Sequence, residues 1–249
     1  MNINSKRAQL ILALLLSSIV LGGQVHWVSA RLKVPLTQGP DPARVAATIK
    51  ANAQALKAFS WQQRMQIQIK GETKKVTLNQ MNYDVNGNLQ KTLLSEQPPP
   101  DSSAPAPGGR LRGRVKQKVV AKKTGEFKEM MEGIASLIKS YTELPPEQLQ
   151  AALKKASFSQ GQGDMNGSIQ IQMASVLQQG DGLTLWIDSE ALLFRRIAIA
   201  STYDQQPLTA TANYAILQAG PVYMGEAIVN YPAKQVVLQI DNLNYQRNQ

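Results

Sequence analysis

The sequence predicts a mainly β protein of the α+β class. Three observations carry this. Between Trp61 and Tyr245 most of the chain falls into runs where apolar and polar residues alternate, the period of a half-buried strand. The connections between runs are short and rich in Gly, Pro, Asn and Asp, so successive strands are antiparallel neighbours. Only three segments carry helical spacing. A sheet of about 9–11 antiparallel strands either closes or leaves a concave apolar face, and three helices suffice to cover it.

The chain starts with Lys6 and Arg7, then an apolar run from Leu10 to Gly23, then Val28-Ser29-Ala30. This is the three-part pattern of a secretory signal, with cleavage expected after Ala30. The apolar run is shorter than the roughly 18–20 residues that span a bilayer. A periplasmic protein with residues 1–30 removed is expected; the alternative is an inner-membrane signal anchor.

The first helix is expected over about 42–59. Asp41-Pro42 supplies its cap and first turn, and Val45, Ile49, Leu56 and Phe59 share a face. Trp61, Met65, Ile67 and Ile69 then alternate with Gln and Arg as a first strand. A second strand follows Gly71 and runs to about Asp84. Its apolar parity changes between Leu78 and Met81, which predicts a bulge. Asn86-Gly87 is a hairpin signal, with a third strand through Leu93. Residues 96–109 are Pro, Ser, Ala and Gly-rich and predict a long loop within a single domain spanning 31–249.

Next, Arg110, Arg112, Arg114, Lys116 and Lys118 occupy every second position. As a strand this run would project five cations from one face, about 6.6 Å apart. Phe127, Met130, Met131, Ile134, Leu137, Ile138 and Tyr141 form the apolar stripe of a second helix. Pro145-Pro146 starts a third, expected to end near Phe158. The remaining third reads as strands around Ile171, Leu185, Ile197, 208–218, 222–231 and 235–245, with turns at Gly180-Asp181-Gly182, Ser189-Glu190, 204–207, Gly220-Pro221 and 232–234.

This order of elements, the strand entered at Trp61 and the Asn86-Gly87 hairpin together resemble the LolA/LolB lipoprotein-carrier fold and the secreted outer-membrane lipoprotein-sorting proteins, over roughly residues 40–245. The resemblance implies a curved, incompletely closed antiparallel sheet around an apolar cavity, with helices as a lid. It also implies a lipid or acylated (lipoprotein) ligand and a role in outer-membrane biogenesis. The Pro-rich loop and the basic run depart from the compact carriers.

Composition narrows the chemistry. The chain has no Cys and one His, His26, inside the signal segment. Catalysis by Ser-His-Asp or Cys-His, and metal sites built from His or thiolate, are therefore excluded from the mature chain. No metal, cofactor or catalytic residue is expected, and the chain reads as non-enzymatic. The carboxylates Asp181, Asp188, Glu190 and Asp204 sit at turns or strand ends, where backbone geometry already favours them. The glycines at 161, 163 and 167 precede a strand and match no phosphate loop.

Lys plus Arg number 27 against 17 Asp plus Glu, a formal charge of +10. Residues 110–128 hold eight cations and one anion, Glu126, so the excess is local. The basic run is a candidate docking face for an anionic membrane surface or an acidic envelope protein; the plain alternative is a solvated edge strand. Nucleic acid is not an expected partner of an exported protein.

Two functions lead, with a hydrolase built on two of the turn carboxylates facing each other across a cleft as a third. The first is a monomeric periplasmic carrier or binding protein whose apolar cavity is lined by Trp61, Met65, Ile67, Ile69, Met130, Met131, Ile134, Leu137 and Ile138. The second is an envelope structural or interaction protein in which those residues are ordinary core and the basic strand docks. A cavity of several hundred Å³ would favour the first, and one of tens of Å³ the second.

Overall fold

A computed structural model describes residues 42–97, 110–218 and 220–248. The segment expected to be a signal and the Pro-rich stretch 98–109 lie outside the described residues. The elements run α1 (Pro42–Leu56), β1 (Phe59–Ile69), β2 (Glu72–Tyr83), β3 (Leu89–Gln97), α2 (Arg110–Thr142), α3 (Pro146–Lys154), β4 (Ser157–Gln160), β5 (Ser168–Ala174), β6 (Gly182–Asp188), β7 (Phe194–Tyr203), β8 (Gln206–Ile216), β9 (Val222–Tyr231) and β10 (Val236–Arg247). The ten strands form one antiparallel sheet in the order β3-β2-β1-β10-β9-β8-β7-β6-β5-β4. Two meanders meet where β1 pairs with β10, and the sheet ends on two edges without closing.

Turn chemistry sets the registers. Lys70 and Gly71, both at positive φ, join β1 to β2 in two residues, the left-handed pair that a tight hairpin requires. Asp204 and Gln205 do the same between β7 and β8. At the Asn86-Gly87 hairpin, Asp84 accepts the Asn86 and Asn88 amides (2.9 Å each), and Gly87 supplies the positive φ.

Alternation then sorts the two faces. On the concave face Met65, Ile171, Met173, Leu183, Ile197, Ile199, Leu208, Val229, Leu238 and Ile240 are buried in one core. On the convex face a polar ladder crosses the central strands. The Arg64 guanidinium meets Asp241, Gln239 Nε2 donates to Asp241 and Glu226, Asn213 Nδ2 donates to Glu226, and Arg196 Nε donates to Asn213.

Four expectations are corrected. The basic run Arg110–Lys118 is not a strand; it forms the first turns of the 33-residue helix α2. Between Arg110 and Thr142 there is no Pro, and Lys, Gln, Ala and Glu are helix formers. The segment 157–160 is strand β4 paired with β5 rather than the end of a helix; the Lys155 and Ala156 amides close α3 on Ala152 and Leu153 carbonyls (3.1 Å each). Helix α1 ends at Leu56, and Phe59 already pairs with Arg247 in the sheet. The parity change in β2 is not an extra residue in that strand. Thr77, Asn79 and Met81 all point inward and are buried, so two polar residues hold inward positions while Val76 and Leu78 face outward. The bulge opposite lies on β3, where the register skips between Leu78 and Asn79.

Helix α2 lies against the sheet through Ile134, Ile138 and Tyr141, all buried. Two features fix its approach. Gly133 faces Tyr203: a methyl there would lie 2.2 Å from the Tyr203 hydroxyl and 2.7 Å from its ring. The Tyr141 hydroxyl donates to Asp181 Oδ2 (2.5 Å) and lies 2.8 Å from Ser201 Oγ.

Gly133→Ala is therefore expected to lose about 1–2 kcal/mol by urea denaturation, because overpacking outweighs the gain in helix propensity. Gly125→Ala, where an added methyl meets nothing within 4 Å, is expected to gain about 0.5–1 kcal/mol. Equal effects at the two positions would mean that α2 does not lie this close to β7.

Candidate functional site

Two adjoining clefts open on the concave face. The first is an aliphatic slot under α2. Its floor is two cross-strand rows: Ile197–Ala212–Ala227–Ile240, and Ile199–Ala210–Val229. Ile138 and Thr142 of α2 form its roof. The three alanines place methyl groups where the flanking strands carry Ile and Val, and this difference in size makes the slot. Its wall is almost wholly apolar, and its free room is about 30 Å³.

The second cleft lies one inward position further along the same strands. Tyr214 follows Ala212 on β8, Met224 precedes Ala227 on β9, and Asn242 follows Ile240 on β10. Inward positions on a strand are about 7 Å apart. The cleft has about 70 Å³ of free room and is closed on the other side by Ile49, Asn52, Ala53 and Leu56 of α1.

A buried amide row separates the aliphatic core from an aromatic cluster. Asn79, Gln63 and Asn242 stand side by side across β2, β1 and β10 and are 2–5% exposed. Asn242 Oδ1 accepts from Trp61 Nε1 and Gln63 Nε2 (3.1 Å each), and its Nδ2 donates to the Met224 carbonyl (2.9 Å). Asn79 Nδ2 donates to the Gln63 carbonyl (3.4 Å). Such a network is costly to bury unless satisfied and specific once it is.

Beyond the row, Trp61 stacks on Tyr245 with ring centres 5.3 Å apart and planes at 8°. Tyr83 lies 5.8 Å from Trp61, and Tyr223 lies 4.3 Å from Tyr245. Asn244, at φ 54°, marks the irregularity in β10 opposite Trp61 that brings Tyr245 to this face. Burial pushes the Tyr245 hydroxyl far above its usual pKa, with Tyr223 and Tyr83 adding to the effect, and burial alone does the same at Tyr214. Both stay neutral. Helix α1 is tied to the cleft by Asn52, whose amide exchanges two 2.7 Å hydrogen bonds with the Val222 backbone.

Of the nine residues expected to line a cavity, Trp61 lines the aromatic cleft and Ile138 the slot. Met65 and Ile134 are buried core, and Ile67, Ile69, Met130, Met131 and Leu137 pack partly buried against it. The residues missed are Asn52, Gln63, Tyr223, Asn242 and Tyr245, and the alanines of the floor. The repeated small residues of 208–212 (Leu-Thr-Ala-Thr-Ala) carried a signal: inward positions of a central strand held Ala rather than Ile or Val.

Two of the four turn carboxylates, Asp181 and Asp188, are occupied by the backbone amides of their own turns. Asp188 Oδ1 accepts the Glu190 and Ala191 amides (3.0 and 2.8 Å). Asp181, 5% exposed, accepts the Val176, Leu177 and Gln178 amides (2.6–2.9 Å) besides Tyr141. Among the described residues no helix is long and apolar enough to cross a membrane, and no group of three or more His, Cys, Asp or Glu could hold a metal ion.

No family model matches the chain, and no curated protein matches its sequence. Three solved structures are similar to it. A DUF1329 family protein from Desulfovibrio piger has 11% identity and a TM-score of 0.39, covering 82% of this chain and 92% of that one. A LolA superfamily protein from Nitrosomonas europaea has 10% identity and a TM-score of 0.40, covering 83% and 93%. An outer membrane lipoprotein-sorting protein domain from Vibrio parahaemolyticus has 9% identity and a TM-score of 0.33, covering 82% and 91%. No residue role is transferred from them.

The Asp181 anchor makes a pH prediction. Burial raises the pKa of its carboxyl, but the Tyr141 hydroxyl and three backbone amides outweigh burial and hold it below the ordinary 3.8. Its contribution is therefore fully present above pH 3.8 and is lost as pH falls through the lower folded value. Asp181→Asn is expected to cost about 2–3 kcal/mol at pH 6 and to flatten the acid limb of stability against pH. An unchanged acid limb in urea titrations would show that other carboxylates set it.

Proposed function

We propose that this protein is a non-enzymatic periplasmic carrier or binding protein that takes an acyl chain, of a lipid or a lipoprotein, between its open sheet and α2. The observation that carries this is the slot itself: an almost wholly apolar groove with Ala210, Ala212 and Ala227 set among Ile and Val residues under α2. Burial drives binding, at about 0.8 kcal/mol per methylene. The slot as it stands is too small for an acyl chain. Its 30 Å³, like the 70 Å³ beside it, is far below the roughly 300–1,000 Å³ of pockets that hold drug-sized ligands. Loading therefore requires α2 to lift.

The same small volume favours a second reading, an envelope interaction protein with a filled core. In both readings the basic turns of α2, Arg110 to Lys118, are proposed to dock on an anionic membrane surface or an acidic envelope partner, now as part of a helix.

Two experiments separate these functions. A fluorescent 16-carbon fatty acid is expected to bind purified protein at one site, and Ala212→Leu, which fills the floor, to weaken it at least tenfold with the fold kept by circular dichroism. No binding by either protein would favour the filled core. Replacing Arg112, Arg114 and Lys116 together by Gln is expected to weaken binding to anionic vesicles at low salt severalfold. Unchanged vesicle binding would leave the basic turns as a solvated surface.

A further inference from the structure

The aromatic cleft has a chemistry of its own. No residue lining it is ionisable to a charge near neutral pH: the wall is amide, aromatic, aliphatic and one methionine. A charged group placed there would lose its hydration without a counter-ion, a cost of several kcal/mol. An uncharged group with several hydroxyls meets the opposite situation. The Trp61, Tyr223 and Tyr245 rings offer flat faces and edges for C–H bonds, while tyrosine hydroxyls and the Gln63 amide offer hydrogen-bonding partners. The amide row holds this wall rigid, as Asn242 fixes both Trp61 and Gln63.

Position adds a second constraint. The cleft begins one inward step beyond the slot on β8, β9 and β10, so once the helices move off the sheet one amphiphile spans both, with its chain under α2 and its head under α1. We propose that the aromatic cleft is a head-group subsite for an uncharged polyol or sugar, and that it selects neutral-headed amphiphiles over charged or zwitterionic ones of equal chain length. This rests on the slot holding the chain.

The probes are dodecyl maltoside and dodecylphosphocholine, each titrated below its micelle concentration into the full mature protein by calorimetry. The maltoside is expected to bind at least tenfold more tightly. Ala53→Phe, which projects into the cleft from α1, is expected to erase that preference while dodecylphosphocholine binding persists; Ala53→Leu is the milder variant should the first not fold. Equal binding of both probes by the wild-type protein, or a preference that survives both variants, overturns the subsite and leaves the slot standing. Binding of neither probe overturns the slot, and this proposal with it.

Discussion

Everything on the concave side depends on how closely α2 can approach an unclosed sheet. The sheet presents one apolar face, and water must be kept from it. Gly133 lets the helix backbone settle on the Tyr203 ring. About two turns later in the helix, Tyr141 reaches Asp181, whose other hydrogen bonds hold the 176–178 loop. A steric fit and one charge-assisted hydrogen bond thus set the roof of the slot. The apolar stripe of α2 from Phe127 to Tyr141 packs on the core, so the proposed lift breaks those contacts and none of the strand ladder.

The second organising element is the amide row. A sheet with Leu or Val at Gln63, Asn79 and Asn242 would have one continuous apolar face. The three amides instead divide it into an aliphatic part under α2 and an aromatic part under α1. Division of this kind suits a ligand with two chemistries. The cost of burying three amides is offset by their bonds to one another, to Trp61 and to backbone carbonyls, and they fix the register of β1 between β2 and β10.

The strands were legible wherever alternation met a turn with a backbone reason, as at Lys70-Gly71, Asn86-Gly87 and Asp204-Gln205. The signal failed where a periodic pattern had another cause. Arg110 to Lys118 alternates like a strand, yet it runs without a breaker into the stripe that starts at Phe127, so helix propagation decides its structure. In β2 the inward positions are Thr77 and Asn79, and apolar periodicity sees neither. The core stripe of α2 was legible as helix, but not which of its residues roof a slot, because Ile134 and Ile138 differ only in what lies opposite. The aromatic cleft was least legible: its members come from α1, β1, β2, β7, β8, β9 and β10 and meet only because β1 pairs with β10, joining the two meanders.

The central claim is that α2 lifts to admit an acyl chain. Native mass spectrometry of the purified protein, mixed with palmitate and also isolated directly from cell extracts, tests it most directly. The account predicts a one-to-one adduct with palmitate and an acyl-bearing adduct from the extract, both lost in Ala212→Leu. A bare protein mass in both preparations would contradict it and leave a filled core.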